Sequence, residues 1–277
     1  MNYIYGAFLG DYMNILIVGG DYRMNIAYKE LEKLGYTVDS LGLINDDSGK
    51  IEDADVVLLP VPTTRDNKTV FCPQSDMKIP LDYVKNANKN ALILSCGYTF
   101  DDLNYIDYLG LDSFCYLNAV PTAEGAIARA ICDTPFCLWN SRVLVIGCGR
   151  VAKVLADRLQ ALGCNLTVTA RKSRDFAYLD TLGINHIHTN DVLKHADKFD
   201  VIFNTIDVHL FDNPSLLKNC YLYDLSTTGC LDFEKAKLNN IKAYKLPGIP
   251  GKIAPVTAGK IIAQTTNQLI GEWVCKI

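Results

Sequence analysis

Residues 142–152 read RVLVIGCGRVA, and this stretch decides the fold. A short run of aliphatic residues ends at Gly147, a second glycine follows at Gly149, and apolar positions three and four apart then continue through Leu159. This spacing indicates an amphipathic helix. A strand, a tight glycine turn and a helix in this order are typical of the phosphate-binding corner of a dinucleotide fold.

Each small residue of this corner has a physical reason. Gly147 permits the sharp turn, and Gly149 has no β-carbon, so that a pyrophosphate can approach the backbone. Ala152 lets the helix pack closely against the strand. The N–H groups and the positive dipole end of the helix then face the phosphates. We therefore predict cofactor contacts at Gly147, Gly149, Arg150 and Val151.

The residues after the next predicted strand, 166–170, indicate which nicotinamide cofactor binds. NAD enzymes usually carry Asp or Glu at this point to hold the ribose 2′-hydroxyl, whereas this chain has Arg171, Lys172, Ser173 and Arg174. Guanidinium and hydroxyl groups hold a 2′-phosphate, which a carboxylate would repel. The sequence thus predicts NADP as cofactor. The alternative is a surface loop that is basic by chance.

The composition narrows the classes of function. The chain has 277 residues, enough for about two domains, and its net charge of −4 without a basic run argues against nucleic acid as the main partner. No apolar segment approaches the roughly 20 residues of a membrane span, and residues 1–12 do not resemble a signal peptide, so we expect a cytoplasmic protein. Ten cysteines without a Cys-x-x-Cys pair, and four scattered histidines, predict reduced thiols and no metal site.

The order of elements along the chain predicts the α/β class with parallel sheets. Strands alternate with helices over residues 14–97 and again over 142–246. We expect two Rossmann-like domains with a cleft between them. These are a flavodoxin- or Rossmann-like domain over residues 1–120 and an NADP-binding Rossmann domain over 121–255. A helix over 256–277 is expected to cross back and complete the first domain.

Strand ends supply further candidate residues. The turn Gly19-Gly20-Asp21 follows the first strand, but a third small residue and a clear ribose contact are missing, so we predict a turn that binds no nucleotide. In the second domain, predicted strands end near Asn204, Thr205 and Ser226, and Pro247 follows the last one. Because strand carboxyl ends face the ligand crevice of an open parallel sheet, these four residues are predicted to line the cofactor.

Three segments resemble the A subunits of dipicolinate synthase, an enzyme of spore-forming bacteria. They are residues 120–125 (VPTAEG), 147–150 (GCGR) and 247–251 (PGIPG) together with 254–259 (APVTAG), and the resemblance extends over nearly the whole chain from Met13. It implies nicotinamide-dependent dehydrogenation of a dihydrodipicolinate-type precursor, derived from 4-hydroxy-tetrahydrodipicolinate, to dipicolinate for spores. It also implies a flavoprotein-like B subunit as partner and expression in the sporulating mother cell. Association with further copies of this chain is expected as well.

One segment departs from the family pattern. The family tends to carry Arg-Pro-Gly-Gly after a strand that ends in Asp-Leu, whereas residues 224–230 of this chain read DLSTTGC, without an arginine. If that arginine helps to bind a substrate carboxylate, other residues must do so here. The same absence argues against a D-2-hydroxyacid dehydrogenase, which needs an arginine in that loop.

The implied substrate carries two carboxylates, which need donors such as Arg, Lys, Thr or helix N-termini. One expected donor is the N-terminus of a helix that Thr122 would begin and that would end near Ile131. The candidate substrate contacts are Thr63, Thr64, Arg65, Asn118, Thr122, Thr257 and Lys260. Helix capping is the alternative role for Thr122 and Thr257.

Glu124 is the candidate acid/base residue, because the matching motif retains it. Its alternative role is to complete a capping box near the start of the predicted helix. His209 is expected to be an ordinary loop histidine. Two other functions stay open: an NADP-dependent reductase of an open-chain oxo or hydroxy acid, and a non-catalytic subunit that senses NADP. The sequence shows no Lys–Asp or His–Glu pair that would support the reductase.

Overall fold

The structure, a computed structural model, describes residues 13–43, 49–101 and 103–275. Residues 1–12, which we predicted not to be a signal peptide, lie outside this range. The described residues form two compact units, one reaching to Leu117 and resuming at Ala254, the other comprising Asn118–Ile253. The sequence suggested divisions after residues 120 and 255. Each unit contains one parallel sheet, which confirms the predicted α/β class.

The strands and helices have the following bounds. The strands are β1 (Asn14–Val18), β2 (Thr37–Leu41), β3 (Val56–Leu58), β4 (Leu92–Ser95), β5 (Tyr105–Asp107), β6 (Arg142–Ile146), β7 (Asn165–Ala170), β8 (Asn185–His188), β9 (Val201–Asn204), β10 (Tyr221–Asp224) and β11 (Lys242–Lys245). The helices are α1 (Tyr22–Lys33), α2 (Asp112–Asp133), α3 (Arg150–Ala161), α4 (Ser173–Thr181), α5 (Val192–His195), α6 (Phe233–Leu238), α7 (Ile249–Ile253) and α8 (Pro255–Val274).

The sheet of the first unit has the strand order β2-β1-β3-β4-β5, with all neighbours parallel. Its central strands are continuous apolar runs, as strands buried on both faces require. Ile15 and Ile17 face the side that α1 and α8 cover, whereas Leu16 and Val18 face the side covered by the loops and short helical turns between β2 and β4. The strand order corresponds to that of flavodoxin-like sheets.

The sheet of the second unit has the order β11-β10-β9-β6-β7-β8, again with parallel neighbours. Dinucleotide-binding domains commonly have this order. The direction of winding reverses between β6 and β9, and ligands bind at the strand carboxyl ends beside such a reversal. The topology therefore places Gly147, after β6, and Thr205, after β9, at the expected ligand crevice of this unit.

The predicted helix start at Thr122 is wrong. Helix α2 runs without interruption from Asp112 to Asp133, with Pro121 inside it. An interior proline removes one helical hydrogen bond and costs about 3 kcal/mol, a cost that the burial of a long helical face can offset. Ala123 and Ala126 are fully buried in that face. The Thr122 hydroxyl donates to the Asn118 carbonyl at 2.8 Å, so it neither caps a helix nor marks an anion-binding N-terminus.

The Pro-Gly segment is more regular than its sequence suggested. Ile249–Ile253 form α7, and Pro250 is accommodated because the first turn of a helix needs no N–H donor. Helix α8 then begins at Pro255, with Ala254 at the N-cap position and no side-chain cap. Thr257 consequently lies within the first turn and does not cap the helix.

Helix α8 packs directly on α1 and completes the first unit, as predicted. Its buried face includes Ile262 and Leu269, and the Tyr36 hydroxyl, at the end of the turn after α1, donates to Asn267 Oδ1 at 2.7 Å. The two helices lie close together at Gly259, where a β-carbon would be 2.5 Å from the carbonyl oxygen of Arg23 and 2.5 Å from the β-carbon of Ile26. The glycine is therefore a requirement of helix packing.

We expect Gly259→Ala to lower the free energy of unfolding by about 1–3 kcal/mol, because the added methyl group must push apart two helix backbones. Gly271→Ala, on the same helix, is the matched control. A β-carbon there would meet no atom within 4 Å, so alanine should raise stability by about 0.5–1 kcal/mol through its helix propensity. Urea denaturation measures both. Equal effects at the two positions would contradict the close packing of α8 on α1.

The cysteines form no disulfide among the described residues. Burial raises the pKa of the Cys220 thiol to about 12, and it raises the pKa of Cys96 and Cys230 as well. These thiols are therefore protonated at neutral pH and behave as small apolar side chains. The described residues also contain no group of His, Cys, Asp and Glu arranged to hold a metal ion. No described helix is long and apolar enough to cross a membrane.

Candidate functional site

The turn after β6 has the conformation that its glycines permit. Gly147 adopts φ +107°, which side chains rarely allow. A β-carbon there would lie 2.6 Å from Thr205 Oγ1 and 2.7 Å from Ile206 Cγ2. The first glycine is thus required by its own backbone conformation and by the close approach of the neighbouring strand end. Thr205 lies against this turn, and its predicted contact with the cofactor stays a prediction. Its hydroxyl donates to the Ile146 carbonyl at 2.8 Å.

Gly149 is required for a different reason. It occupies the N-cap of α3 with φ −81°, which any residue can adopt, and a β-carbon there would meet no atom within 4 Å. No side chain caps this end of α3. Arg150 is exposed and Val151 is half-buried in the first turn. Open space in front of an uncapped helix N-terminus fits a pyrophosphate, so the residues present fit a dinucleotide.

The glycine turn of the first unit shows what a closed turn looks like. The Gly19 N–H donates to the Leu41 carbonyl and the Gly20 N–H to the Phe71 carbonyl, both at 2.7 Å. A β-carbon at Gly19 would lie 2.6 Å from Cys72 Sγ. Segments of the protein itself therefore occupy the amides that a phosphate would need, and this turn serves as scaffold.

The predicted 2′-phosphate contacts lie on the surface after β7. Arg171, Lys172, Ser173 and Arg174 are all exposed, and Ser173 begins α4. The nearest carboxylate in sequence, Asp175, lies within salt-bridge distance of Lys153 (4.0 Å) and Arg174 (3.7 Å). Arg171 and Lys172 add two further positive charges, so the segment as a whole keeps its basic character.

Cys148 lies between the two glycines of the turn and packs against the core of the second unit. Burial, with a smaller contribution from the Asp175 carboxylate, raises the pKa of its thiol. The thiol is therefore neutral near the expected phosphates and adds no negative charge there.

Two predicted cofactor residues have a different role. The buried Asn204 side chain donates to Asp224 Oδ1 at 2.8 Å and to the Ile206 carbonyl at 2.9 Å. Ser226 is also buried, and its hydroxyl accepts the Gly229 N–H at 3.1 Å. Both side chains therefore support the loop after β10 rather than face a ligand, which corrects the prediction. Pro247, the fourth residue of that set, is exposed in the turn before α7.

Asp224 is the residue that sequence analysis missed. It ends β10, is completely buried, and accepts hydrogen bonds from the N–H groups of Ser226 (3.0 Å) and Cys230 (2.9 Å) in addition to Asn204. The signal was a single carboxylate at the end of an otherwise apolar strand. On the outer side of the same loop, Asp207 Oδ1 accepts the N–H groups of Thr227 and Thr228. These two carboxylates hold the segment that departs from the family pattern.

Glu124 lies on the surface of α2. Its side chain is 61% exposed, and its carboxylate is 3.3 Å from Arg158 Nε. Arg158 is eight residues beyond Arg150, and helical rise places it about 12 Å along α3 from the glycine turn. The capping-box alternative is wrong because no helix begins near Thr122. The assignment of Glu124 as acid/base stays a prediction, without support from a contact to the turn.

We expect Glu124→Gln to change the free energy of unfolding by less than about 1 kcal/mol, since exposed ion pairs contribute little. If Glu124 acts only through this ion pair, turnover stays within about twofold of wild type. Arg158→Gln, which removes the other partner of the pair, is the matched control. A fall in kcat with Glu124→Gln but not with Arg158→Gln would instead support the acid/base role.

The candidate substrate residues of the first unit differ in accessibility. Thr63 is completely buried and its hydroxyl accepts the Cys96 N–H at 2.7 Å, so it is a structural residue, contrary to the prediction. The Thr64 hydroxyl donates to Asp66 Oδ1 at 3.0 Å within a tight turn. Arg65 is exposed, with its guanidinium carbon 4.0 Å from the centre of the Phe71 ring. This stacking orders the cation while its N–H edges stay available to an anion.

The other candidates lie on helices. Thr257 and Lys260 are exposed in the first two turns of α8. Asn118 is half-buried on α2, and its carbonyl accepts the Thr122 hydroxyl.

His209 lies in a loop after β9. Its side chain is half-exposed, and its Nε2 is 3.2 Å from Asp212 Oδ1. The loop position of His209 agrees with the prediction.

Known proteins match both units of this chain. Residues 14–106 match the family model for the N-terminal domain of the dipicolinate synthase A subunit. Residues 128–207 match the NAD-binding domain of D-isomer specific 2-hydroxyacid dehydrogenases. The A subunit of dipicolinate synthase from Bacillus subtilis (strain 168) is 28% identical, with 94% of this chain and 96% of the relative covered. This chain is similar to dipicolinate synthase A subunits.

Solved structures of dipicolinate synthase A subunits have the same fold. The Bacillus subtilis protein is 27% identical with a TM-score of 0.82, covering 96% of this chain and 98% of the other. The Bacillus halodurans protein is also 27% identical, with a TM-score of 0.81, covering 93% and 97%. The nicotinamide-binding domain and this similarity support an oxidoreductase.

The segments that resemble dipicolinate synthase A subunits contain packing contacts. A β-carbon at Gly125, in the first motif, would lie 2.2 Å from Ile249 Cγ2, in the last motif. The side chain of Ile249 therefore packs directly against the backbone of α2 at Gly125. Gly259, also in the last motif, has the same function between α8 and α1. These two glycines need no contact with a ligand to explain their presence.

Proposed function

We propose that this chain is the A subunit of a dipicolinate synthase and that it uses NADP to dehydrogenate a dihydrodipicolinate-type precursor to dipicolinate. The observation that carries the proposal is the open glycine turn at the N-terminus of α3, in a chain similar to dipicolinate synthase A subunits over nearly its whole length. Bound NADP⁺ would supply the hydride acceptor for the ring carbon, and the accompanying proton would leave to a base or to water.

The residues of the second unit would hold the cofactor in two places. Gly147, Gly149 and the first turn of α3, with Arg150 and Val151, would receive the pyrophosphate. The exposed residues 171–174 would receive the 2′-phosphate. Support for NADP over NAD is that no carboxylate occupies the position directly after β7, where NAD enzymes hold the ribose.

Among the candidate substrate contacts, Arg65 has the best chemistry for a carboxylate, because its guanidinium is exposed and already ordered by Phe71. The further candidates for contact with the substrate are Thr64, Asn118, Thr122, Thr257 and Lys260. We also propose a second subunit as partner, since the relatives are named as the A subunit of a synthase.

The test is a turnover assay with the purified chain, NADP⁺ and freshly generated hydroxytetrahydrodipicolinate, with and without a flavoprotein-like partner subunit. We expect nicotinamide reduction and dipicolinate absorbance to increase together. Tight binding of NADP without turnover under either condition would contradict the proposed enzymatic activity and would favour a non-catalytic subunit that senses NADP. Turnover with an open-chain oxo or hydroxy acid alone would favour the reductase.

A separate variant tests the proposed preference for NADP over NAD. We expect Arg171→Ala to weaken NADP binding by about 10- to 100-fold, because a charge-assisted contact contributes about 1.5–3 kcal/mol. NAD⁺ lacks the 2′-phosphate and is the control: its affinity should stay unchanged in the same variant. Calorimetric titration gives both dissociation constants. Equal losses for the two cofactors would contradict the 2′-phosphate contact.

A further inference from the structure

One peptide group at the start of the dinucleotide turn is held at both of its polar atoms. The carbonyl oxygen of Ile146 accepts from Thr205 twice, from the backbone N–H at 3.0 Å and from the hydroxyl at 2.8 Å. The N–H of the same peptide, on Gly147, donates to Thr169 Oγ1 at 3.0 Å. The two threonines belong to the strand ends on either side of β6.

The hydroxyl of Thr169 replaces a backbone acceptor. The parallel pairing of β6 with β7 ends at Val145 and Val168, one residue before Thr169. Gly147 extends beyond this ladder, so its N–H needs another partner. Thr169 is completely buried, and water cannot take its place.

A second hydroxyl supports the first. Thr189, directly after β8, lies with its Oγ1 3.1 Å from Thr169 Oγ1 in a buried contact. The hydroxyl groups thus link the ends of β8 and β7 to the turn after β6, and Thr205 links the turn to the end of β9. The orientation of the Ile146–Gly147 peptide is therefore determined by side chains of three neighbouring strand ends.

This orientation matters because Gly147 adopts φ +107°, and Cys148 and Gly149 lead directly from it into the N-terminus of α3. Rotation of the Ile146–Gly147 peptide would redirect the following N–H groups. Recognition of a pyrophosphate by backbone amides depends on the direction in which those amides point.

We propose that Thr169 and Thr205 are positioning residues for pyrophosphate recognition: their hydroxyls fix the peptide from which the dinucleotide turn departs. This inference rests on the proposed dinucleotide binding and adds residues to that site. Neither side chain needs to touch the cofactor, and the effect is exerted through the Ile146–Gly147 peptide.

The experiment compares two ligands on the full chain by calorimetry. NADP⁺ contains the pyrophosphate, whereas 2′-AMP contains the 2′-phosphate and the adenosine but no pyrophosphate. We expect Thr169→Val to raise the dissociation constant of NADP⁺ by about tenfold and to leave that of 2′-AMP within twofold. Thr169→Ser, which keeps the hydroxyl, should restore NADP⁺ binding. Thr167→Val, on the same strand two residues earlier, is the control and should change neither constant.

Thr205→Val removes the hydroxyl bond to the Ile146 carbonyl and keeps the bond from the Thr205 N–H. It tests the positioning role independently, also if Thr169→Val does not fold. A smaller but selective loss of NADP⁺ binding is expected. Equal losses for both ligands, or unchanged NADP⁺ binding in folded variants, would overturn the positioning role. If the wild-type chain binds neither NADP⁺ nor NAD⁺, the proposed function itself fails.

Discussion

Gly149→Ala will bind NADP at least about tenfold more weakly than the wild-type chain while it remains folded. The β-carbon meets no protein atom within 4 Å, so the methyl group extends into the open space where the pyrophosphate is proposed to approach. Stability should change by at most about 1 kcal/mol, because alanine is a poorer N-cap than glycine. Calorimetry measures the affinity, and thermal unfolding measures the stability.

Gly147→Ala, two residues earlier, is the contrasting variant. Its β-carbon would lie 2.6 Å from Thr205 Oγ1 and its φ of +107° is unfavourable for alanine, so we expect a loss of about 2–4 kcal/mol in the free energy of unfolding. The two glycines should therefore separate binding from stability. Unchanged NADP affinity in Gly149→Ala would show that no pyrophosphate passes over this turn.

Asp224→Ala will lower the free energy of unfolding by about 3–5 kcal/mol. The buried carboxylate accepts from Asn204 Nδ2 and from the N–H groups of Ser226 and Cys230. Removing it takes the side-chain acceptor from both N–H groups and leaves the Asn204 amide with its bond to the Ile206 carbonyl alone. The loop after β10 should lose order together with stability. Urea denaturation gives the energy, and limited proteolysis reports the loop.

Asp207→Ala is the matched control for this prediction. Asp207 holds the same loop through the N–H groups of Thr227 and Thr228, but it is exposed, so water can replace its carboxylate. We expect a loss of only about 0.5–1.5 kcal/mol. Equal losses in the free energy of unfolding of the two variants would show that the contribution of Asp224 to stability does not depend on its burial.

Local patterns predicted much of the architecture. The strand at Thr37–Leu41 has the predicted bounds, and α8 begins one residue before its predicted start, because apolar periodicity and glycine or proline boundaries act over short distances. The edge strands β5 and β8 were not predicted. Their sequences, YID and NHIH, have little apolar periodicity, and both strands become regular by pairing with β4 and β7.

Helix α2 shows where local rules fail. Thr122 after Pro121 has the sequence of a helix start, yet the helix is continuous, because burial of Ala119, Ala123 and Ala126 outweighs the local cost of the proline. Such burial depends on partners far away in sequence, among them Ile249 of α7 against Gly125. No window of sequence around Thr122 contains that information.

The sequence by itself determined the α/β class, the place of the dinucleotide turn, its basic neighbour segment and the similarity to dipicolinate synthase, since these depend on residue type and spacing. Only the tertiary structure showed why the first glycine turn, which the sequence predicted to bind no nucleotide, is closed. Gly19 and Gly20 lose their amides to Leu41 and Phe71, whereas the space at Gly149 stays free. The tertiary structure likewise turned Asn204 and Thr63 inward, because a buried polar group must find a partner, and that partner is chosen by packing between distant segments.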